Sequence, residues 1–257
     1  MKERIDKLLF DRGLAKSRQQ AQALVLEGGV LADDQRIDKP GTRVNCSASI
    51  RLKYPPPPYV SRAGKKLESG LQAFVPSIQD WVCLDIGASA GGFTDCLLQK
   101  GAKTVYAVDV GHNQLDWKLR QDARVICLEG VNARYLKFDD IGVTVDLIVV
   151  DVSFISLTLI LPALRVFTAP DTILVCLVKP QFEVGKGQVE DGGLVTDPVK
   201  HEWVIQKIRS AAMKQGYKVL GAVESPILGS EGNKEFLLGL KSGPVSGQNV
   251  SENDTSL

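Results

Sequence analysis

No apolar run in this 257-residue chain approaches the roughly 18 residues that a membrane-spanning helix needs. The opening stretch MKERIDKLLFDRG is too rich in charge for a secretory signal, so a cytoplasmic protein with no membrane partner is expected. Close cysteine spacing is missing too. The five cysteines, Cys46, Cys83, Cys96, Cys127 and Cys176, form no C-x-x-C pair, and three fall in apolar strand-like runs. That pattern argues against zinc and for buried reduced thiols, so no metal is expected. No internal repeat stands out. What is present, 44% hydrophobic and 24% charged residues, suits an ordinary soluble protein of one large domain or one large plus one small.

The net charge of +1 conceals an asymmetry: residues 1–66 carry +7 and the remainder −6. Such a basic segment is a candidate for a polyanion partner, with a solvated basic face as the alternative. YPPPPY at 54–59 marks a boundary, because consecutive prolines favour a stiff extended segment and continue neither a helix nor a central strand. The expected division is a small domain at 1–53, a linker at 54–59, a large domain at 60–241 and a disordered polar tail at 242–257. In the small domain Ile5, Leu8 and Leu9, then Ala21, Leu24 and Val25, fall at helical spacing. They predict two short amphipathic helices, the second capped by Ser17, followed by short strands.

The pattern formed by Arg4, Asp6, Leu9, Gly13 to Ala15, Ser17, Arg18, Ala21 and Gly29-Val30 resembles the RNA-binding domain named after ribosomal small-subunit protein four. The resemblance implies an RNA contact, with Arg4, Arg12, Lys16 and Arg18 as phosphate-binding candidates. Arg62, at the start of the large domain, either joins them or helps to cap a helix.

After the prolines the chain alternates strand and helix, which predicts an α/β domain with an open, mostly parallel sheet covered on both faces. Strands are expected near 81–86, 104–109, 125–129, 146–151, 172–178, 217–224 and 234–240, the last antiparallel after a hairpin. Helices are expected near 61–74, 92–100, 113–120, 157–167 and 197–215. CLDIGASAGGFTDCLLQKG follows the first strand and opens a helix, so its glycines can bring backbone N–H groups close to a nucleotide-like cofactor. The spacing G-x-x-x-G-G, made by Gly87, Gly91 and Gly92 after Asp85, differs from a dinucleotide fingerprint and resembles S-adenosylmethionine-dependent methyltransferases. That likeness implies S-adenosylmethionine as cofactor, held by Asp85, Gly87, Ala88, Ser89, Gly91, Gly92 and Phe93. Asp109 is placed at the ribose hydroxyls, with Glu129 and Asn132 nearby.

Ligands of such sheets bind beyond the carboxyl ends of the strands, where Asp85, Asp109, Glu129, Asp151 and Lys179 each terminate one. ILVCLVKPQFE shows the arrangement best: an apolar run ends in a lysine immediately before a proline that must stop the strand. Glu235 begins the antiparallel strand and so stands at the same edge. In SRAGKKLESGLQAF, helical phase puts Lys66 beside the buried stripe of Leu67, Leu71 and Phe74, and turns Lys65 away.

Lys66, Asp151, Lys179 and Glu235 together resemble the Lys-Asp-Lys-Glu tetrad of FtsJ-type RNA ribose methyltransferases. With the RNA-binding domain in front, YVSRAGKKL, LDIGASAGGFTD, VVDVSFISL, LVKPQFE and GNKEFLL resemble the TlyA family. That family is described both as ribosomal RNA 2′-O-methyltransferases and as haemolysins. The resemblance implies a Rossmann-like methyltransferase that modifies a cytidine ribose in ribosomal RNA or ribosomal subunits, with Lys179 as general base. The alternatives are a pore-forming haemolysin, which the sequence gives no spanning or strongly amphipathic basic helix, and an RNA-binding protein without catalysis. EVGKGQVEDGGLVTD at 183–197 is expected to be a loop, either a mobile flap over the RNA or an ordinary surface loop, and His201 beyond it is expected to lie at the surface without a partner.

Overall fold

A computed structural model describes residues 2–15, 18–26, 28–53, 58–185, 187–229 and 231–243. Lys16, Ser17, residues 54–57 of the proline run and the tail from 244 onward lie outside the described residues. The chain divides into two compact units, the first Met1–Pro58 and the second beginning at Tyr59.

The first unit opens with β1 (Lys2–Arg4), α1 (Ile5–Asp11) and α2 (Arg18–Leu26). Then come β2 (Val30–Ala32), β3 (Gln35–Ile37), β4 (Arg43–Asn45) and β5 (Ile50–Leu52). β1 pairs antiparallel with β4, while β2 lies between β3 and β5, antiparallel to both. Ile5 and Leu9 of α1 and Ala21, Leu24 and Val25 of α2 bury their apolar stripes together with Val30. Past α2, Gly28 takes φ +69, and the N–H groups of Gly28 and Gly29 close back on the carbonyls of Val25 and Leu24. A glycine in the left-handed region is what such a helix stop needs.

The second unit contains α3 (Ala63–Phe74), β6 (Val82–Ile86), α4 (Gly92–Gln99), β7 (Thr104–Asp109), α5 (Trp117–Arg120) and β8 (Val125–Glu129). It continues with α6 (Phe138–Ile141), β9 (Val145–Val150), α7 (Leu157–Leu164), β10 (Thr168–Val178) and α8 (Pro180–Glu183). It closes with α9 (Pro198–Lys214), β11 (Tyr217–Glu224) and β12 (Phe236–Ser242). The seven strands order as β8-β7-β6-β9-β10-β12-β11. β12 runs antiparallel to both neighbours, and the pairings from β8 to β10 are parallel.

Alternation along the strands sends side chains into two cores. Leu84, Ile148, Leu174 and Leu238 join the cluster beneath α7 and α9, whereas Cys83, Leu147, Val175 and Leu237 join the one beneath α3 and α4. Burial on both faces is why the central strands read as continuous apolar runs. Chain order reverses between β6 and β9, so the loops that follow them flank a switch point.

Several expected boundaries move. The helix expected over 113–120 is only α5, because Asn113, Gln114 and Leu115 donate their N–H groups to the Glu129 carboxylate and Asn113 takes φ +56. The helix expected over 157–167 gives way after Leu164 to a tighter turn, Arg165–Phe167. β10 begins early, at Thr168, and breaks register before Ile173 around Asp171, whose φ is +74. Ser242, expected in the tail, ends β12 buried, and its hydroxyl accepts a hydrogen bond from Arg165 (2.7 Å).

Candidate functional site

The turn leaving β6 is built for close approach. Gly87 has φ +84, and a Cβ there would stand 2.2 Å from the Asp151 carbonyl oxygen; one on Gly92 would stand 2.1 Å from Ser61 Oγ. Gly91 precedes α4 at φ +93 and offers no side-chain cap. The N–H groups of Gly87 and Ala88 donate to the Val108 carbonyl (2.8 and 3.1 Å), which ties the turn to β7. A cavity of about 140 Å³ results, lined by Ser61, Gly87, Ala88, Ser89, Phe93 and Asp151 among others. Gly92 and Phe93, on the first turn of α4, present it with a helix end whose N–H groups lack intrahelical partners.

Two residues before the turn, Asp85 is fully buried. Thr94 Oγ1 donates to its Oδ2 (2.6 Å), while Oδ1 has no partner among the described residues. Burial first, and then the nearby Asp151 charge, push this carboxyl up to about 7, against the pull of the Thr94 hydrogen bond. Asp109, ending β7, accepts the N–H groups of Ser89 (2.8 Å) and Gly111 (2.7 Å), and is thereby fixed beside the glycine turn. Glu129 and Asn132 do not line the cavity. Glu129 accepts the three amides already named and pairs with Arg120; the guanidinium, then the amides, hold its carboxyl down at about 2 despite burial. Asn132 caps the short turn Ala133–Tyr135 by accepting from Arg134 N (3.0 Å).

At the same sheet edge two ion pairs form. Lys66 Nζ lies 2.5 Å from Glu235 Oε2, and Lys179 Nζ lies 2.6 Å from Asp151 Oδ1. The register explains how the two pairs come together: Phe236 stands opposite Val178, which sets Glu235 level with Lys179. Gly70 explains Lys66. A Cβ at Gly70 would meet Val175 at 2.7 Å and Leu237 at 3.3 Å, so α3 lies directly on β10 and β12, and Lys66, one turn earlier on the same face, reaches the edge. Lys65 is exposed and Lys66 buried. The Lys179–Asp151 contact is an ion pair by distance; the directed hydrogen bond of Lys179 goes to Ser153 Oγ (2.9 Å). Ser153 carried no signal of its own within VVDVSFISL. Nor did Phe154 beside it, 90% exposed at φ +64, with its ring centre 4.9 Å from that of Phe182.

His201 corrects its expectation: it is buried, its Nε2 donates to the Val195 carbonyl (2.7 Å) and its ring lies against Phe236. The loop at 183–197 is clipped at both ends, by Glu183 at the start of α7 and by Asn233, which binds the backbone of Gly193 and Val195. Among the basic residues proposed for RNA, Arg4 and Arg18 share the buried carboxylate of Asp6. Arg12 donates to the carbonyls of Ala48 (2.8 Å) and Cys46 (2.5 Å). Arg62 is exposed before α3 and makes no cap hydrogen bond.

Residues 59–242 match the model of the FtsJ-like methyltransferase family, and residues 3–47 match the S4 domain. The 16S/23S rRNA (cytidine-2′-O)-methyltransferase TlyA of Mycobacterium tuberculosis is 45% identical over 239 residues, covering 93% of this chain and 89% of that one. Hemolysin A of Brachyspira hyodysenteriae is 40% identical over 235 residues, with 91% and 98% covered. A solved structure from Streptococcus thermophilus that carries the hemolysin name has a TM-score of 0.75 at 45% identity, covering 97% of this chain and 91% of that one. Among the described residues no helix is long and apolar enough to cross a membrane.

Proposed function

Because this chain belongs to the FtsJ-like methyltransferase family, we propose that it methylates a ribose 2′-hydroxyl of ribosomal RNA, at a cytidine, using S-adenosylmethionine. The observation that carries this reading is the meeting of two lysine–carboxylate pairs at one sheet edge, with Asp151 belonging both to a pair and to the lining of the glycine-walled cavity. The cytidine rests on the name of the M. tuberculosis relative.

The residues present fit the cofactor. Asp85 keeps a buried oxygen without a partner among the described residues, the glycine turn leaves no room for a Cβ, and Asp109, though it does not line the cavity, is bound to the amide of Ser89, which does. When bound, S-adenosylmethionine supplies a methyl group on a sulfonium that departs as a neutral thioether. The chain does the rest. Lys179 is the base that takes the 2′-hydroxyl proton as the ribose oxygen is methylated. Asp151 and Ser153 hold the Lys179 nitrogen in place, and the charge of Lys66, itself held by Glu235, steadies the developing alkoxide. General-base assistance contributes about 10²–10⁴-fold, and alignment of the reacting atoms adds to it. The first unit supplies RNA affinity through Arg4 and Arg18, whose side chains stay 44% and 52% exposed.

The test is to incubate the protein and its Lys179→Ala variant with labelled S-adenosylmethionine and ribosomal subunits lacking the modification. Label at a ribose 2′-oxygen, lost in the variant while cofactor binding persists, is the expected result. Label on a base would overturn the assignment.

A further inference from the structure

A second buried carboxylate stands behind the lysine that takes the proton. Glu183 is 4% exposed and closes α8, the short helix that Lys179 and Pro180 open. Its Oε1 accepts the Leu157 amide (2.8 Å) and its Oε2 accepts the Ser156 hydroxyl (2.6 Å). Those groups form the start of α7, where N–H groups lack intrahelical partners and a negative charge is stabilised. Ser156 in turn accepts from Thr158 N (3.2 Å). Lys207 of α9 compensates the buried charge: its Nζ is 3.2 Å from Oε2 and 2.7 Å from the Glu183 carbonyl oxygen.

Residues 179, 182 and 183 are spaced i, i+3 and i+4, one side of a helical turn. Each meets a successive part of the segment between β9 and α7. Lys179 meets Asp151 and Ser153, Phe182 meets the ring of Phe154, and Glu183 holds Ser156 and Leu157. Within that segment Phe154 sits at φ +64, a conformation that a bulky residue keeps only when its surroundings impose it. Lys179 anchors it on one side through Ser153, and the Glu183 clamp anchors it on the other, two residues on.

We infer that Glu183 is a positioning residue for the reaction: it fixes the loop carrying Asp151 and Ser153, and thereby the place of the Lys179 amine. The inference deepens the methyl-transfer reading and rests on it. A helix cap with no further role would contribute stability alone; a positioning residue also changes kcat and the environment of Lys179.

Glu183→Gln and Glu183→Ala, made in the full chain, separate the two roles. Cofactor affinity, kcat and KM on ribosomal subunits, and the NMR titration of the Lys179 ε-carbon in lysine-labelled protein are measured for each. The expected result is unchanged cofactor affinity and KM, a kcat lower by roughly 10- to 100-fold in the alanine variant, a displaced Lys179 titration, and partial recovery with glutamine, which can still accept from Leu157. If Glu183→Ala fails to fold, Ser156→Ala removes one of the two contacts and moves the same readouts less far. Folded variants with wild-type kcat and an unmoved Lys179 titration would overturn the inference, as would equal losses of stability, cofactor affinity and kcat. If the wild type methylates no RNA, the methyl-transfer reading falls by itself, and the Lys179 titration still decides whether Glu183 sets that amine.

Discussion

Lys66, on the first helix of the large unit, and Glu235, at the mouth of its last strand, meet 2.5 Å apart with side chains only 11% and 3% exposed. A pair this buried gains mutual attraction but has given up hydration, so its removal as a pair differs sharply from the removal of one partner. Lys66→Met leaves a buried carboxylate alone and is expected to cost about 3–5 kcal/mol in denaturant unfolding, whereas adding Glu235→Leu recovers most of that loss. Neither variant is expected to transfer methyl groups. A double variant as unstable as the single would sink the ion-pair account, and an active one would remove Lys66 from the chemistry.

Asp85 sets a pH dependence of its own. Its carboxyl is raised from an ordinary value of 3.8 to about 7, chiefly by burial. Between those values the folded chain holds a proton that the unfolded chain has released, so this residue makes stability fall as pH rises from about 4 to about 7, by up to about 1.4 kcal/mol per pH unit, and then level off. Asp85→Asn keeps an acceptor for Thr94 and is expected to flatten that slope, raising the thermal midpoint of the cofactor-free protein at mildly alkaline pH while weakening cofactor binding. Parallel melting curves for the two proteins across this range would contradict it.

Gly87→Ala tests the glycine turn directly. The added carbon would stand 2.2 Å from the Asp151 carbonyl, backbone that cannot rotate aside, at a residue whose φ is +84. The turn has to move, taking Asp151 with it. The expected outcome is loss of both cofactor binding and methyl transfer, read by calorimetry and by the labelling assay; an alanine variant that bound cofactor normally would show that the close approach is dispensable.

The sheet edge was legible because strands buried on both faces are apolar until they end, and a charged residue at such an end marks the place. Asp85, Asp109, Asp151 and Lys179 were found that way, and helical phase alone separated Lys66 from Lys65. What stayed hidden depends on partners far along the chain. The residues at 113–115 have helical composition, but the carboxylate that unwinds them belongs to Glu129 of the next strand. Arg12 is a surface cation, as its sequence suggests, but its guanidinium also binds carbonyls 34 and 36 residues away. His201 finds a backbone carbonyl, and no side-chain pattern announces a carbonyl. Glu183 read as the first residue of a loop because α8 is too short to show a period.

The first unit offers a test in which two physical arguments give opposite signs. Asp6 is fully buried and accepts from Arg4 Nε (3.0 Å) and a second Arg4 nitrogen (2.9 Å), Gln22 (3.0 Å), Arg18 (3.3 Å) and the Lys7 amide (2.9 Å). Arg4, then Gln22 and Arg18, hold its carboxyl well below the ordinary 3.8, against the opposing effect of burial. Because the folded value is depressed, the stability it contributes is complete above the ordinary carboxylate range and is lost as pH falls from about 4 toward the folded value. Asp6→Asn is therefore expected to destabilise this unit at neutral pH and to remove part of its acid sensitivity. Coulomb's law alone says that deleting a negative charge should tighten binding to RNA. If instead Asp6 orients Arg4 and Arg18 toward phosphates, Asp6→Asn weakens binding, in a folded protein, although its net charge is more positive. Filter binding at two salt concentrations distinguishes them: weaker binding with a shallower salt slope is expected, and tighter binding would end the orienting role of Asp6.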